Sequence, residues 1–462
     1  MSTFLEVKEF DKIHCNEEFK EQHNFLSEEA FHELEDFMYD FDDENSADAT
    51  ALDFLKHCTI KGIGRAVSVN NYVGLIQTPK GNKIQILPKI ELGDDKEDTK
   101  ENGYPLTKRV FLKMLSSMND FPCKVFSDAN IQVGRMNLYE IFINMYLAQV
   151  RILVKRGLKS SYLGIDNNLF FYKGKLNVNE QIKYNAAHKE RFCVHYDEFM
   201  VDRAENRIIK ATLLLLQRLT SSSKNQKEIR QLLPSFELVT PSTNHHKEFS
   251  KVVSDRNTRD YTDLMAWSKV FLFNKGFTTF RGDTKSRAIL FKMDKVFESY
   301  VAKRLAPLVY ERGWSIKTQD RGLYLFDTPK RFALRPDIVI TQEDQNRRII
   351  LDTKWKELTD KPSDNYGISQ ADMYQMYAYS KKYQTSEVCP KTEVCLLYPK
   401  TKDMNNDKNI LYKGNDNVNV RVFFVDVSRI EDSLNHLLSI YSLKQEESMH
   451  IHSLTPPVAA IS

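Results

Sequence analysis

The sequence predicts a multidomain α+β chain, with a β-rich N-terminal domain, a mainly helical middle region and a C-terminal α/β domain on a mixed sheet. Three observations predict it. At 462 residues the chain exceeds what a single core usually organises. Strand-like segments cluster before residue 90, whereas from Pro105 the apolar positions recur at helical spacing. After Thr258 the order helix, strands, helix, strand, strand, helix suits a sheet flanked by helices. The expected divisions are 1–100, 101–257 and 258–445, with a flexible tail at 446–462.

Residues 21–55 hold many Asp and Glu and no Lys or Arg, including Asp40-Phe-Asp-Asp-Glu44. They read as a solvated acidic helix and loop that would repel DNA. Strands are expected at 66–69, 72–77 and 83–87, the last two joined as a hairpin through Thr78-Pro-Lys-Gly-Asn82. Arg65, Lys80 and Lys89 read as solvated loop charges, and the charged stretch 93–102 as a boundary. A helix over 138–156 has the apolar stripe Leu138, Ile141, Phe142, Met145 and Ala148, and Gly157 closes it. Strand-like patches follow at 169–172 and 175–178. Asp202 and Glu205 have capping-box spacing at the start of the next helix, with Asp in place of Ser or Thr. Residues 221–225 read as a helix-ending loop, and His245-His246 as a solvated pair in a polar loop.

In the last third, helices are expected at 261–273 and 293–312, the second buried along Phe297, Val301, Leu305 and Leu308. Strands should follow at 314–318, 323–326, 334–341 and 348–355, then a helix at 370–383. Strands at 394–398 and 418–427 and a helix at 430–441 complete the set.

Composition narrows the function. A net charge of +3 advertises no polyanion-binding surface, so any grip on nucleic acid must be local. The six cysteines, at 15, 58, 123, 193, 389 and 395, have no C-x-x-C spacing, which argues for a reduced compartment and against zinc. No P-loop is present, and Lys61-Gly-Ile-Gly-Arg65 matches no nucleotide fingerprint, so a nucleoside triphosphate would have to be bound by another chain. Neither a signal pattern nor a bilayer-length apolar run occurs, and a cytoplasmic protein is expected.

The chemistry concentrates at Asp337 and, fifteen residues later, Asp352-Thr353-Lys354. Each carboxylate lies in an apolar strand-like run, and the polar stretch 342–348 between them suits a turn, so a hairpin would set Asp337 beside Asp352. Side chains alternate along a strand, which puts Asp352 and Lys354 on one face. Pro336 is tolerated at the start of a strand. Two close carboxylates repel, and a hard divalent cation relieves the repulsion, with the Thr353 backbone carbonyl as a further oxygen ligand. Such a cation polarises a phosphoryl oxygen and acidifies bound water, and Lys354 would steady that water or the developing charge. The trio suits metal-assisted phosphodiester hydrolysis.

This pattern resembles the PD-(D/E)xK nuclease superfamily, with Pro336-Asp337 and Asp352-Thr-Lys354 as its two elements. The resemblance implies a restriction-endonuclease-like fold. It also matches Glu298, on the preceding helix, to an acidic metal-side residue, and Gln375, in Tyr374-Gln-Met-Tyr-Ala-Tyr379, to the polar residue of the following helix. More narrowly, from about residue 60 onward the chain resembles the McrC nuclease subunits of McrBC-type modification-dependent restriction systems. The marks are Gly74-Leu-Ile-Gln-Thr-Pro, Ile84-Gln-Ile-Leu-Pro-Lys89, Asp202 with Glu205-Asn-Arg-Ile-Ile-Lys210, and the series Phe297-Glu298, Gln319, Arg335-Pro-Asp337 and Leu351-Asp-Thr-Lys354. The resemblance implies a Mg²⁺-dependent endonuclease (Mn²⁺ substituting) on double-stranded, methylated DNA. It further implies an McrB-like AAA+ hexamer that binds GTP or ATP and receives this chain's β-rich N-terminal part. Two other readings compete: a stand-alone repair or mobile-element nuclease of the same superfamily, and a non-catalytic scaffold of an AAA+ ring.

Overall fold

A computed structural model of the chain describes residues 4–21, 24–44, 54–78, 80–89, 106–118, 121, 137–252, 260–273, 287–384, 391–401 and 410–442. The N-terminal part contains β1 (Phe4–Lys8), β2 (Lys12–His14), β3 (Asn24–Phe25), α1 (Glu28–Glu44), β4 (Leu55–Ile60), β5 (Gly64–Val69), β6 (Tyr72–Gln77) and β7 (Lys83–Leu87). The expected hairpin forms, β6 and β7 pairing antiparallel with Gln77 opposite Lys83. β1 joins β7 in parallel, and β5 pairs antiparallel with β2 and β4. Val7, Ile13, Val67, Val69, Ile76, Ile84 and Ile86 from these strands meet Phe31, Leu34, Phe37 and Met38 of α1 in one core.

The acidic helix is therefore not solvated all round, because apolar residues three and four apart seat one face on the sheets. Glu33 and Glu35 are buried, and they hold Lys80 at 3.4 Å and Arg65 at 3.3 Å. These two cations are thus partnered rather than free in solvent, and Lys89 is half-buried. The side chains of residues 40–44, the stretch 93–102, Thr258 and the tail 446–462 lie outside the described residues.

The middle region runs through α2 (Leu106–Leu115), α3 (Leu138–Arg156), β8 (Ser161–Leu169), β9 (Lys175–Leu176), α4 (Val178–Asn185), β10 (Phe192–Met200), α5 (Ala204–Leu219), α6 (Ser223–Leu232), α7 (His245–Ser250) and α8 (Thr262–Phe273). α3 has the expected bounds: the Asn137 side chain caps its start and Gly157, with φ +88°, ends it. Its buried Glu140 accepts hydrogen bonds from Thr220 Oγ1, Ser221 N and Asn225 Nδ2. The stretch 221–225 consequently starts a helix, with Ser222 capping α6. No capping box forms at Asp202. Arg207 takes both of its carboxylate oxygens at 2.8 Å and Thr240 N donates to it, leaving Arg203 as an N-cap without a side-chain bond. The patches near 169 and 175 belong to a larger sheet, in which β10 pairs with β8 along its whole length and also with β9. His245 opens α7 rather than a loop, its Nδ1 lying 3.0 Å from Ser242 Oγ, and His246 packs on Phe273.

β11 (Arg287–Lys292) returns to the N-terminal sheet, pairing with β6 so that Leu290 faces Gly74. α9 (Met293–Tyr310) then leads directly into the last sheet. Its strands are β12 (Ser315–Thr318), β15 (Ile338–Gln342), β16 (Arg347–Thr353), β17 (Lys391–Pro399), β18 (Ile410–Lys413) and β19 (Asn419–Val425), and β13 (Tyr324–Asp327) and β14 (Lys330–Ala333) form a separate ribbon. The strand expected over 334–341 is thus shorter, since residues 334–337 lie outside it. The sheet order β12-β15-β16-β17-β19-β18 is antiparallel at both edges and parallel from β16 to β19, the expected mixed sheet. α10 (Gln370–Gln384) covers one face through Met376, Tyr379 and Tyr383. α9 and α11 (Ile430–Ser442) cover the other through Val301, Leu305, Leu434 and Leu437, in a core that continues into α3 and α8 at Phe142 and Trp267. Among the described residues no helix is long and apolar enough to cross a membrane.

Candidate active site

β15 and β16 pair with Ile338 opposite Leu351, and one further step of that register sets Asp337 opposite Asp352. The next step sets Pro336 opposite Thr353. Proline has no N–H, so the ladder gives the Thr353 carbonyl no donor there. Thr353 N and Oγ1 instead both donate to Asp337 Oδ2 at 2.7 Å. Asp352, 1% exposed, has its Oδ2 2.5 Å from Lys354 Nζ. Lys354 N donates to Leu397 O at 2.9 Å, carrying the parallel ladder one residue past β16 and fixing the lysine's backbone.

Two helices complete the set. From α10, Gln375 Oε1 accepts from Lys354 Nζ at 3.1 Å, while Gln375 Nε2 donates to Tyr379 Oη at 2.7 Å. From α9, Glu298 accepts from Gln319 Nε2, which also lies 3.5 Å from Asp337 Oδ1. Gln319 N donates to Asp337 O at 2.8 Å, and Gln319 takes the left-handed φ of +51°. The five side chains singled out in the sequence (Glu298, Asp337, Asp352, Lys354 and Gln375) are thus linked in one place. Sequence reasoning assigned no role to Gln319, to the Thr353 hydroxyl or to Tyr379. For Gln319 the signal was its place in the series of residues that carries the family resemblance, just after a strand.

Electrostatics sets these groups against one another. Burial, then repulsion from Asp337, pushes Asp352 up to about 6 against the pull of Lys354. Burial and Asp337 likewise push Glu298 up to about 7. Burial also raises Asp337, although the two Thr353 hydrogen bonds resist it. For Lys354 burial acts downward, but Asp352 outweighs it and the lysine stays charged. Three carboxyls that resist ionising together are a set that a cation would stabilise. Among the described residues no three His, Cys, Asp or Glu side chains converge as a ready-made metal cage. The fit lies in donor chemistry: hard oxygens from Asp337, Asp352, Glu298 and the Thr353 carbonyl suit a magnesium-like ion that keeps several of its waters. The arrangement can hold a divalent cation beside an ammonium, within reach of an anionic ester.

A family model described as "McrBC 5-methylcytosine restriction system component" matches residues 67–399, more than half of the chain and all five of these residues. No curated protein matches. Among solved structures, one similar chain comes from the refined half-complex of the tetradecameric assembly of Thermococcus gammatolerans McrB AAA+ hexamers with bound McrC. It aligns with TM-score 0.69 at 19% identity, covering 95% of this chain and 100% of that one. Another, from the cryo-EM structure of the Thermococcus gammatolerans McrBC complex, gives TM-score 0.47 and 20% identity over 66% of this chain and 87% of that one. The first likeness shows a common fold over nearly the whole of both chains.

Proposed function

This chain belongs to the family of McrBC 5-methylcytosine restriction system components, and we propose that within such a system it is the metal-dependent DNA endonuclease subunit. The observation that carries this reading is the pairing of Asp337 and Asp352 on adjacent strands with Lys354 on the Asp352 face. It is the donor set of a PD-(D/E)xK nuclease. When bound, magnesium or manganese supplies polarisation of a phosphoryl oxygen and a more acidic water. Asp337, Asp352, the Thr353 carbonyl and Glu298 would hold it.

The chain's own groups do the remaining work. Thr353 fixes the Asp337 carboxylate through two hydrogen bonds, so that it meets the ester already oriented. Lys354, held between Asp352 and Gln375, presents its ammonium to the attacking water and to charge that grows on the phosphoryl oxygens. Gln375 is itself positioned by Tyr379, and Gln319 keeps Glu298 and Asp337 at a set separation.

An McrB-like AAA+ hexamer binding GTP or ATP is the proposed partner. The similar chain at 19% identity comes from an assembly of McrB AAA+ hexamers with bound McrC, which supports this partner. Double-stranded methylated DNA is the proposed substrate. The test is cleavage of methylated and unmethylated plasmid with Mg²⁺, with and without that partner and GTP or ATP. Asp337→Ala and Asp352→Ala should abolish cleavage and leave stimulation of the partner's turnover intact. Loss of both activities in a folded variant would mean that cutting and stimulation are not separate functions of this chain.

A further inference from the structure

Between Gln319 and Asp337 the chain leaves the sheet and returns to it, and both ends of the excursion are tied in the candidate site. Gln319 N donates to Asp337 O at 2.8 Å, and its side chain donates to Glu298. Within the excursion β13 and β14 pair only with each other, Tyr324 opposite Ala333 and Asp327 opposite Lys330. The ribbon is anchored at both ends. At its base Leu334 N donates to Leu323 O at 2.9 Å and Asp320 accepts from Tyr383, and at its tip Asp327 pairs with Lys382 of α10 at 2.7 Å.

The ribbon's aromatic side chains have a different character. Phe326 and Phe332 are 56% and 72% exposed and stand edge to face, 5.9 Å between ring centroids. A two-stranded ribbon has no core of its own, so such rings gain nothing from the fold that displays them. Lys330 and Arg331 are exposed beside them, and Arg321 and Arg335 flank the base. Among the described residues Arg321, Arg331 and Arg335 form no ion pair, whereas both acids of the excursion are engaged by α10. Exposed rings alone would suit any apolar partner. Unpaired guanidiniums around them select a polyanion. Phe332 is five residues from Asp337, so their Cα atoms lie within roughly 18 Å, a distance that spans about five base pairs.

We propose that the β13–β14 ribbon is a DNA-docking wedge, with Phe326 and Phe332 pressed between base steps beside the bond to be cut and Arg321, Arg331 and Arg335 on the flanking phosphates. This rests on the endonuclease reading and adds to it the element that holds the duplex in register. The test uses the full chain, a short fluorescent duplex carrying 2-aminopurine, and Ca²⁺ in place of Mg²⁺, so that binding is read without cleavage. Phe326→Ser with Phe332→Ser should weaken binding about tenfold and abolish the rise in 2-aminopurine fluorescence that follows unstacking. Arg331→Glu, a surface change that spares the fold, should flatten the salt dependence by about one phosphate contact. Affinity and fluorescence unchanged in the double variant would overturn the proposal. So would unchanged DNA binding with lost assembly on the AAA+ partner, which would assign the ribbon to a protein. A wild type that binds through the ribbon yet cuts no better than Asp337→Ala would fail the endonuclease reading and leave the ribbon's assignment standing.

Discussion

Asp352 meets two opposing demands, because burial favours its neutral form while its contact with Lys354 favours the ion. Neutralising either partner should therefore be felt in catalysis before it is felt in folding. Lys354→Ala should cut cleavage by about a hundredfold or more, the usual effect of removing one preorganised donor. Magnesium affinity should change only modestly, and single-turnover cleavage over a magnesium titration separates the two. Near-normal cutting would remove the lysine from the mechanism. Glu298 gives a prediction of opposite sign for stability. Its carboxyl is pushed up to about 7 by burial and by Asp337. A carboxyl raised in the folded state contributes fully below its unfolded value of about 4.3, and that contribution is lost as pH rises through about 7. Glu298→Gln should thus raise the Tm of the metal-free protein by roughly 2 °C at pH 8, and the gain should vanish below about pH 4. An equal shift at both pH values, read by scanning fluorimetry, would exclude charge repulsion as its cause. Cleavage moves the other way. It needs a cation to displace the protons these carboxyls hold, so at subsaturating magnesium wild-type activity should fall as pH drops from about 7 to about 6.

Among the elements, β6 is the one whose sequence is least free. Gly74 has φ +148°, and a Cβ there would fall 1.9 Å from the Ile289 carbonyl oxygen of β11. The backbone of β11 cannot retreat, since Ile289 and Leu290 are both buried. Gly74→Ala should therefore open the β6–β11 pairing at a cost of about 3 kcal/mol or more. Hydrogen exchange should show the loss at residues 72–77 and 287–292, and unchanged protection there would count against it. What the sequence made legible follows the same logic of local against distant constraint. The β15–β16 hairpin, with Asp337 and Asp352 upon it, was readable because its strands and turn are contiguous. The bounds of α3 were readable because its stripe and closing glycine are local. β11 was not, since its partner lies about two hundred residues away. The capping box failed for a related reason: Arg207 and Thr240 capture the Asp202 carboxylate, and the 38-residue separation of Thr240 hides it from any local pattern. β10 was missed because its pattern is exposed over much of its length, so it lacks the apolar alternation that marks a strand.

The N-terminal part is joined to the candidate site through more than β11. Asn71 Nδ2 donates to Asp294 of α9 at 2.6 Å, four residues before Glu298. Glu9, buried in the turn after β1, accepts from Trp355 Nε1 at 3.0 Å across 346 residues of sequence. It also accepts from Lys89 N, and burial pushes its carboxyl up to about 7. Trp355 follows Lys354 directly, and its ring packs on Phe297, which precedes Glu298, with 5.4 Å between centroids. A partner seated on the N-terminal sheets could therefore shift both the strand with Lys354 and the helix with Glu298 without touching either. Trp355→Phe tests this link, because it keeps an aromatic ring against Phe297 while removing, with part of the buried indole, the N–H that holds Glu9. The buried carboxyl then loses a donor, which costs about 1–3 kcal/mol of stability. If the link transmits, partner-stimulated cleavage should fall about tenfold or more in kcat, with KM for DNA and magnesium affinity near wild type. Glu9→Gln, whose side-chain carbonyl still accepts from the indole, should retain most of the stimulation, and Glu9→Leu should not. Full stimulation in a stable Trp355→Phe protein would leave the β6–β11 pairing and the Asn71–Asp294 contact as the routes by which the two parts communicate.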